Sequence, residues 1–147
     1  MGGIAGFTHL KGPGEAGAAE RAARSLAHRG PDQRGLFQSP AVSLAAVRLR
    51  ITDLCGGDQP LLSEDRDTVL IFDGRIYNSA ELREQLEARG HRFLSRCDAE
   101  VVLRAFLEWD RECLARLRGM FGLAIWKESE RRLVLARDRM GIKPLYY

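Results

Sequence analysis

Apolar residues in this chain follow two rhythms, short β-type blocks and helical stripes. The strongest block, Thr68-Val69-Leu70-Ile71-Phe72, is β-branched, aromatic and short. It predicts a strand that runs directly into Asp73-Gly74, a turn pair. Gly3 to Leu10 is small and apolar and predicts a strand whose amino end is buried. Ala41 to Arg50 alternates loosely and is rich in Val and Leu, which also predicts a strand. Met120 to Trp126 and Leu133 to Arg137 read as two strands joined by a polar turn over 127–132, and Leu145 to Tyr147 as the start of another.

The helical rhythm appears between these blocks. Ala19, Ala22 and Leu26 recur at helical spacing and predict a helix over 18–28, ended by Gly30-Pro31. Asn78 or Ser79 caps a second helix reaching about Arg89, with Leu82 and Leu86 one turn apart and Gly90 as its stop. Asp98 is read as the cap of a third, whose apolar stripe is Val101, Val102, Ala105, Phe106 and Trp109. A short helix is expected over 112–117. Gly-Pro-Gly at 12–14 and the run from Cys55 to Pro60 read as a loop and a turn. This order fits α+β or α/β.

Composition narrows the picture only a little. A chain of 147 residues, 45% hydrophobic, has a core of its own, since domains of this size bury about 70% of their unfolded surface. A net charge of +3, spread over scattered basic residues, gives no footprint for nucleic acid. Cys55, Cys97 and Cys113 lie far apart, with no metal-ligand spacing and no even count for a disulfide framework. No apolar run approaches the roughly 18 residues that span a membrane, and no signal peptide is evident. A reducing cytoplasm is the expected location.

The candidate chemistry lies in a set of short motifs. They are Met1-Gly2-Gly3-Ile4-Ala5-Gly6, His28-Arg29-Gly30-Pro31-Asp32, Arg48-Leu49-Arg50-Ile51, Gln59-Pro60-Leu61, Asp73-Gly74-Arg75-Ile76-Tyr77-Asn78, and the run from Ala136 to Tyr147. In that order they resemble the glutaminase domain of the asparagine synthetase family, a class II glutamine amidotransferase. The resemblance covers nearly the whole chain as one domain, 1–147. It implies a four-layer αββα sandwich of the N-terminal-nucleophile hydrolase type, truncated at the C-terminus, where family members continue into more sheet and an ATP-using synthetase domain. A sheet ending at Tyr147 would expose an edge that wants a cover.

In such a domain a cysteine thiol attacks the glutamine amide, with the chain's own α-amine as base. An asparagine side chain and a glycine N–H stabilise the oxyanion, an arginine holds the α-carboxylate, and an aspartate meets the α-ammonium. The resemblance puts Gly2 at the nucleophile position, so no catalytic residue is expected, and losing such a nucleophile costs on the order of 10⁶ in rate. Asp73 stands where the family has the asparagine donor, and loss of one such donor costs roughly 10²–10³. Gly74 keeps its N–H, though it reads equally well as a turn glycine. Arg75 reverses the family's glutamate, and in an extended segment Asp73 and Arg75 share a face and can pair.

Arg48, Ile51, Asp73, Gly74, Arg75 and Asp98 are therefore the expected substrate-binding set. Arg48 matches the carboxylate-binding arginine and is otherwise a surface cation on a strand; Asp98 matches the ammonium-binding aspartate and is otherwise a helix cap. His28 is read as structural. Cys97 has no base near it in sequence and makes a poor relocated nucleophile.

The function implied is a domain without glutamine hydrolysis that acts as a scaffold for an ATP-dependent amide-forming synthetase, as in β-lactam synthetases. The alternatives are an active glutaminase half with a relocated nucleophile and an amino-acid sensor. No cofactor is expected in this chain, with ATP and Mg confined to the partner synthetase. The partners expected are that synthetase and glutamine or a related amino acid, with no nucleic acid and no membrane.

Overall fold

The computed structural model describes residues 2–9, 12, 14–51 and 56–147. Two antiparallel sheets stack face to face between helices. Strands β1 (Gly2–Thr8), β2 (Gln33–Gln38) and β3 (Val42–Arg48) form one sheet in the order β1-β3-β2. The strands β4 (Leu61–Leu62), β5 (Thr68–Ile76), β6 (Gly119–Lys127) and β7 (Arg132–Arg137) form the other, in chain order. Helix α1 (Ala18–Ser25) covers the first sheet, and α2 (Ser79–Glu87), α3 (Asp98–Trp109) and α4 (Cys113–Arg116) cover the second. This is the αββα sandwich.

The period of two along each strand decides which residue enters which layer. On β3, Val42, Leu44 and Ala46 face the other sheet and meet Val69, Ile71, Ala124 and Trp126. The alternate residues Ala45 and Val47 meet Ala19 and Ala23 of α1. Both faces of β3 are covered, so all seven of its residues are buried, and this explains why its alternation looks loose. On β5 and β6, Leu70, Phe72, Leu123 and Ile125 turn outward to Leu82, Leu86, Val102 and Phe106. Phe72 stacks on Phe121, ring centroids 6.5 Å apart.

Several expectations need correction. The strand that starts at Thr68 does not turn at Asp73-Gly74; it continues to Ile76, paired with β6 throughout. Gly74 belongs to a close approach, because a Cβ on it would sit 2.1 Å from the Met120 carbonyl oxygen. Asp98 is not a helix cap. It is the first residue of α3, and its carboxylate accepts the Ile76 N–H from the end of β5 instead of a helix N–H. Residues 145–147 form no strand: they find no partner to pair with among the described residues. The first helix stops at Ser25, followed by a 3₁₀ turn, Ala27–Arg29. Strands β2 and β4 come as additions. The end of the predicted first strand at Leu10 and the start of the turn at Cys55 lie outside the described residues.

Candidate functional site

One end of the sandwich gathers the residues that matter. Sheet register pairs Gly2 with Arg48, and Arg48 with Gln33, so the amino ends of β1 and β2 meet the carboxyl end of β3 there. The carboxyl end of β5 brings Asp73, Gly74 and Arg75 to the same place, and the amino end of α3 adds Asp98. Arg48, Ile51, Asp73, Gly74, Arg75 and Asp98 all line one small cavity of about 50 Å³, so the structure brings together all six residues expected to bind substrate. Ile51 stands at its mouth, well exposed.

Asp73 is buried, and each of its oxygens accepts a hydrogen bond. Its Oδ1 accepts the Gly2 backbone N–H at 2.7 Å, and its Oδ2 accepts the Lys143 ammonium at 2.9 Å. The Arg29 guanidinium lies 3.7 Å from Oδ2 and donates to the Gly2 carbonyl at 2.9 Å. The expected Asp73–Arg75 pair does not form. Lys143 and Gly2 claim Asp73, while Arg75 reaches to Asp98, Nε to Oδ2 at 3.2 Å. Opposite charges on neighbouring segments win over a partner two residues along the strand.

Arg48 is buried and is no surface cation. Its Nη1 donates to the Gly56 carbonyl at 2.5 Å and reaches the Asp58 carboxylate at 3.3 Å. Arg50 grips Asp58 with two bonds of 2.7 and 2.8 Å. The Gln59 side chain locks the loop to β5, donating to the Phe72 carbonyl and accepting its N–H. Gly30 permits the His-Arg-Gly-Pro-Asp turn to lie against β3, since a Cβ there would meet the Arg48 nitrogen at 2.5 Å.

At Gly2 a Cβ would lie 2.0 Å from the Val47 carbonyl oxygen, inside any allowed contact. Strands β1 and β3 approach so closely at this point that no side chain fits without backbone movement. Cys97 also lines the cavity, but burial pushes its thiol above the usual range despite the opposing pull of the Ser95 hydroxyl, so it holds its proton at neutral pH. Among the described residues, no group of three or more His, Cys, Asp and Glu could hold a metal ion.

Sequence reasoning missed Lys143, Arg29 and Asp58 as members of this site. The first two sit in motifs that were visible, but only the fold shows that they converge on Asp73. Asp138 does the positioning for Lys143: its carboxylate accepts the backbone N–H groups of Phe121, Ile142 and Lys143 and rounds the loop that delivers the ammonium.

The chain is similar to known proteins. A family model described as a glutamine amidotransferase domain matches residues 1–147. The chain is 46% identical over 122 residues to the glutamine-hydrolyzing asparagine synthetase 1 of Bacillus subtilis (strain 168), covering 83% of this chain and 19% of that protein. It is 38% identical over 130 residues to asparagine synthetase 3 of the same organism, covering 87% and 21%. It is 38% identical over 123 residues to the nodule asparagine synthetase of Pisum sativum, covering 84% and 21%. The chain thus spans about a fifth of the length of these relatives. Among solved structures, the allosteric regulatory enzyme of purine biosynthesis superposes with a TM-score of 0.59 at 25% identity, over 72% of this chain and 25% of that one. The glutamine phosphoribosylpyrophosphate amidotransferase of B. subtilis gives 0.56 at 22%, over 68% and 24%, and shares the fold. The chain belongs to the class II glutamine amidotransferase domains of the asparagine synthetase family.

Proposed function

We propose that this domain has lost glutamine hydrolysis and serves as a non-catalytic scaffold for an ATP-dependent, amide-forming synthetase. The observation that carries this reading is Gly2. The position that resembles the family's nucleophile has no thiol, and the space for one is filled by the Val47 carbonyl. Asp73 adds to it: its two oxygens already accept from the Gly2 N–H and the Lys143 ammonium, where the family has a side-chain donor to the oxyanion. The relatives are named for hydrolysing glutamine; here the nitrogen would come from free ammonia or from an amine on the acceptor. ATP and Mg would be held by the synthetase partner. The test is to incubate the purified chain with L-glutamine and follow glutamate. No release above the no-protein rate is expected, and steady release that stops in Arg48→Ala would sink the proposal. A synthetase-domain polypeptide that copurifies with the chain would identify the scaffold's partner.

A second reading has its own support. Arg48, a buried cation, and Asp98, an anion at partial depth, face the same cavity, which suits the two ends of an α-amino acid. In this reading the domain retains an amino-acid site without chemistry. A thermal-shift screen of amino acids separates it from a scaffold that binds nothing.

A further inference from the structure

We propose that Asp58 and Arg75 together act as a displaceable internal zwitterion, and that they set the threshold at which this pocket admits a free L-α-amino acid. The inference rests on the amino-acid-site reading above and concerns what occupies that site in its empty state.

The two charged ends of the cavity are each already matched. Asp58 offers a carboxylate to Arg48 at 3.3 Å, where an amino acid's own carboxylate would bind. Arg75 offers a guanidinium to Asp98 at 3.2 Å, where the ammonium would bind. The arrangement is asymmetric in burial. The receiving side chains, Arg48 and Asp98, are each only 10% exposed, whereas the occupying ones, Asp58 and Arg75, are 53% and 39% exposed. The receivers are fixed in the wall and the occupants hang from the rim. Asp58 keeps two bonds to Arg50, at 2.7 and 2.8 Å, so its carboxylate can release the longer contact to Arg48 without leaving the rim, and the half-exposed Arg75 can yield Asp98 to a competing cation.

Space agrees with charge. A cavity of about 50 Å³ has room for roughly four waters, at about 12 Å³ for each. Glutamine, with about ten non-hydrogen atoms, does not enter until Arg75 swings out. A ligand must therefore match both charges at once to displace both occupants, which selects a zwitterion over a simple amine or a simple acid. The apparent affinity falls by the fraction of molecules in which the site is open.

Isothermal titration of the full chain tests this, with L-glutamine, D-glutamine and the deaminated analogue glutaramate as probes. The proteins compared are wild type, Arg75→Gln, Arg75→Ala, Asp58→Ala and Asp58→Ala/Arg75→Ala, each checked by a cooperative melt. L-Glutamine is expected to bind the double variant at least about tenfold more tightly than wild type, as removal of a dominant competing state requires. Arg75→Gln and Arg75→Ala should tighten L-glutamine without tightening glutaramate, which has no ammonium to place at Asp98. Equal affinity for L-glutamine in wild type and variants would overturn the proposal, as would an equal gain for D-glutamine. Absence of binding in every folded variant would overturn it too, while leaving the loss of hydrolysis untouched. Glutamate release during the titrations would refute that loss and leave the zwitterion intact.

Discussion

Gly2 and Gly74 show how a missing Cβ can shape a site. Each lets a neighbouring strand come within a distance that no side chain tolerates, from Val47 in one case and Met120 in the other. Introducing a thiol by Gly2→Cys places a Cβ against a backbone carbonyl, which cannot step aside as a flexible side chain could. Gly2→Cys alone is expected to lower the melting temperature and to produce no glutaminase activity. A variant that melts like wild type and releases glutamate would show that the strands adjust freely. The other thiols offer no substitute. Burial raises Cys97 and pushes Cys113 up to about 12, so both stay protonated.

Among the elements, the loop after β7 carries more of the site than its motif implies. Asp138 is buried, which by itself would raise its carboxyl. The backbone N–H bonds from Lys143, Ile142 and Phe121 outweigh burial and hold it below its ordinary 3.8. A folded value below the unfolded one means that the folded state binds this proton less readily. The stabilisation is therefore complete above about pH 4 and is lost as pH falls through the depressed value. Melting curves of wild type and Asp138→Asn from about pH 6 to about pH 2 should show a gap in stability that narrows toward the acid end. A gap that stays constant would contradict the assignment. The strands teach a related lesson about legibility. Thr68–Phe72 announces itself because it is β-branched, aromatic and short, but its continuation through Asp73-Gly74 does not, since that dipeptide has turn chemistry. Only the close packing of β6 explains a glycine in an extended strand. Strand β2 has half-buried and exposed residues in alternation, with Leu36 outward and a glycine at its centre, so its apolar period is broken. Strand β4 is two residues long, too short for any pattern.

Over the whole molecule, the apolar pattern reached only α+β or α/β, and the four layers came from the resemblance; the buried stripes on α2 and α3 and the apolar blocks on β3, β5 and β6 are the faces those layers cover. Arg48, Asp73, Arg75 and Asp98, expected from the resemblance to bind substrate, line one cavity, but the expected Asp73–Arg75 pair is replaced by Asp73–Lys143 and Arg75–Asp98. Pairing depends on which segments converge, and Lys143 lies 70 residues from Asp73. Local periodicity carries no information over that span.

The single carboxylate of Asp73 holds the first strand, 71 residues back, and a loop 70 residues ahead. Contacts that close such long stretches of chain tend to form late, after local hairpins and helices are in place. Lys143→Met would leave Asp73 buried beside fewer cations and is expected to cost about 3 kcal/mol. In stopped-flow chevrons that loss should fall on the unfolding limb, leaving the refolding rate nearly unchanged. If refolding slowed instead, the clasp would belong to the folding nucleus. As it stands, Asp73 would act less as an architect of this fold than as the latch that keeps the finished sandwich from reopening.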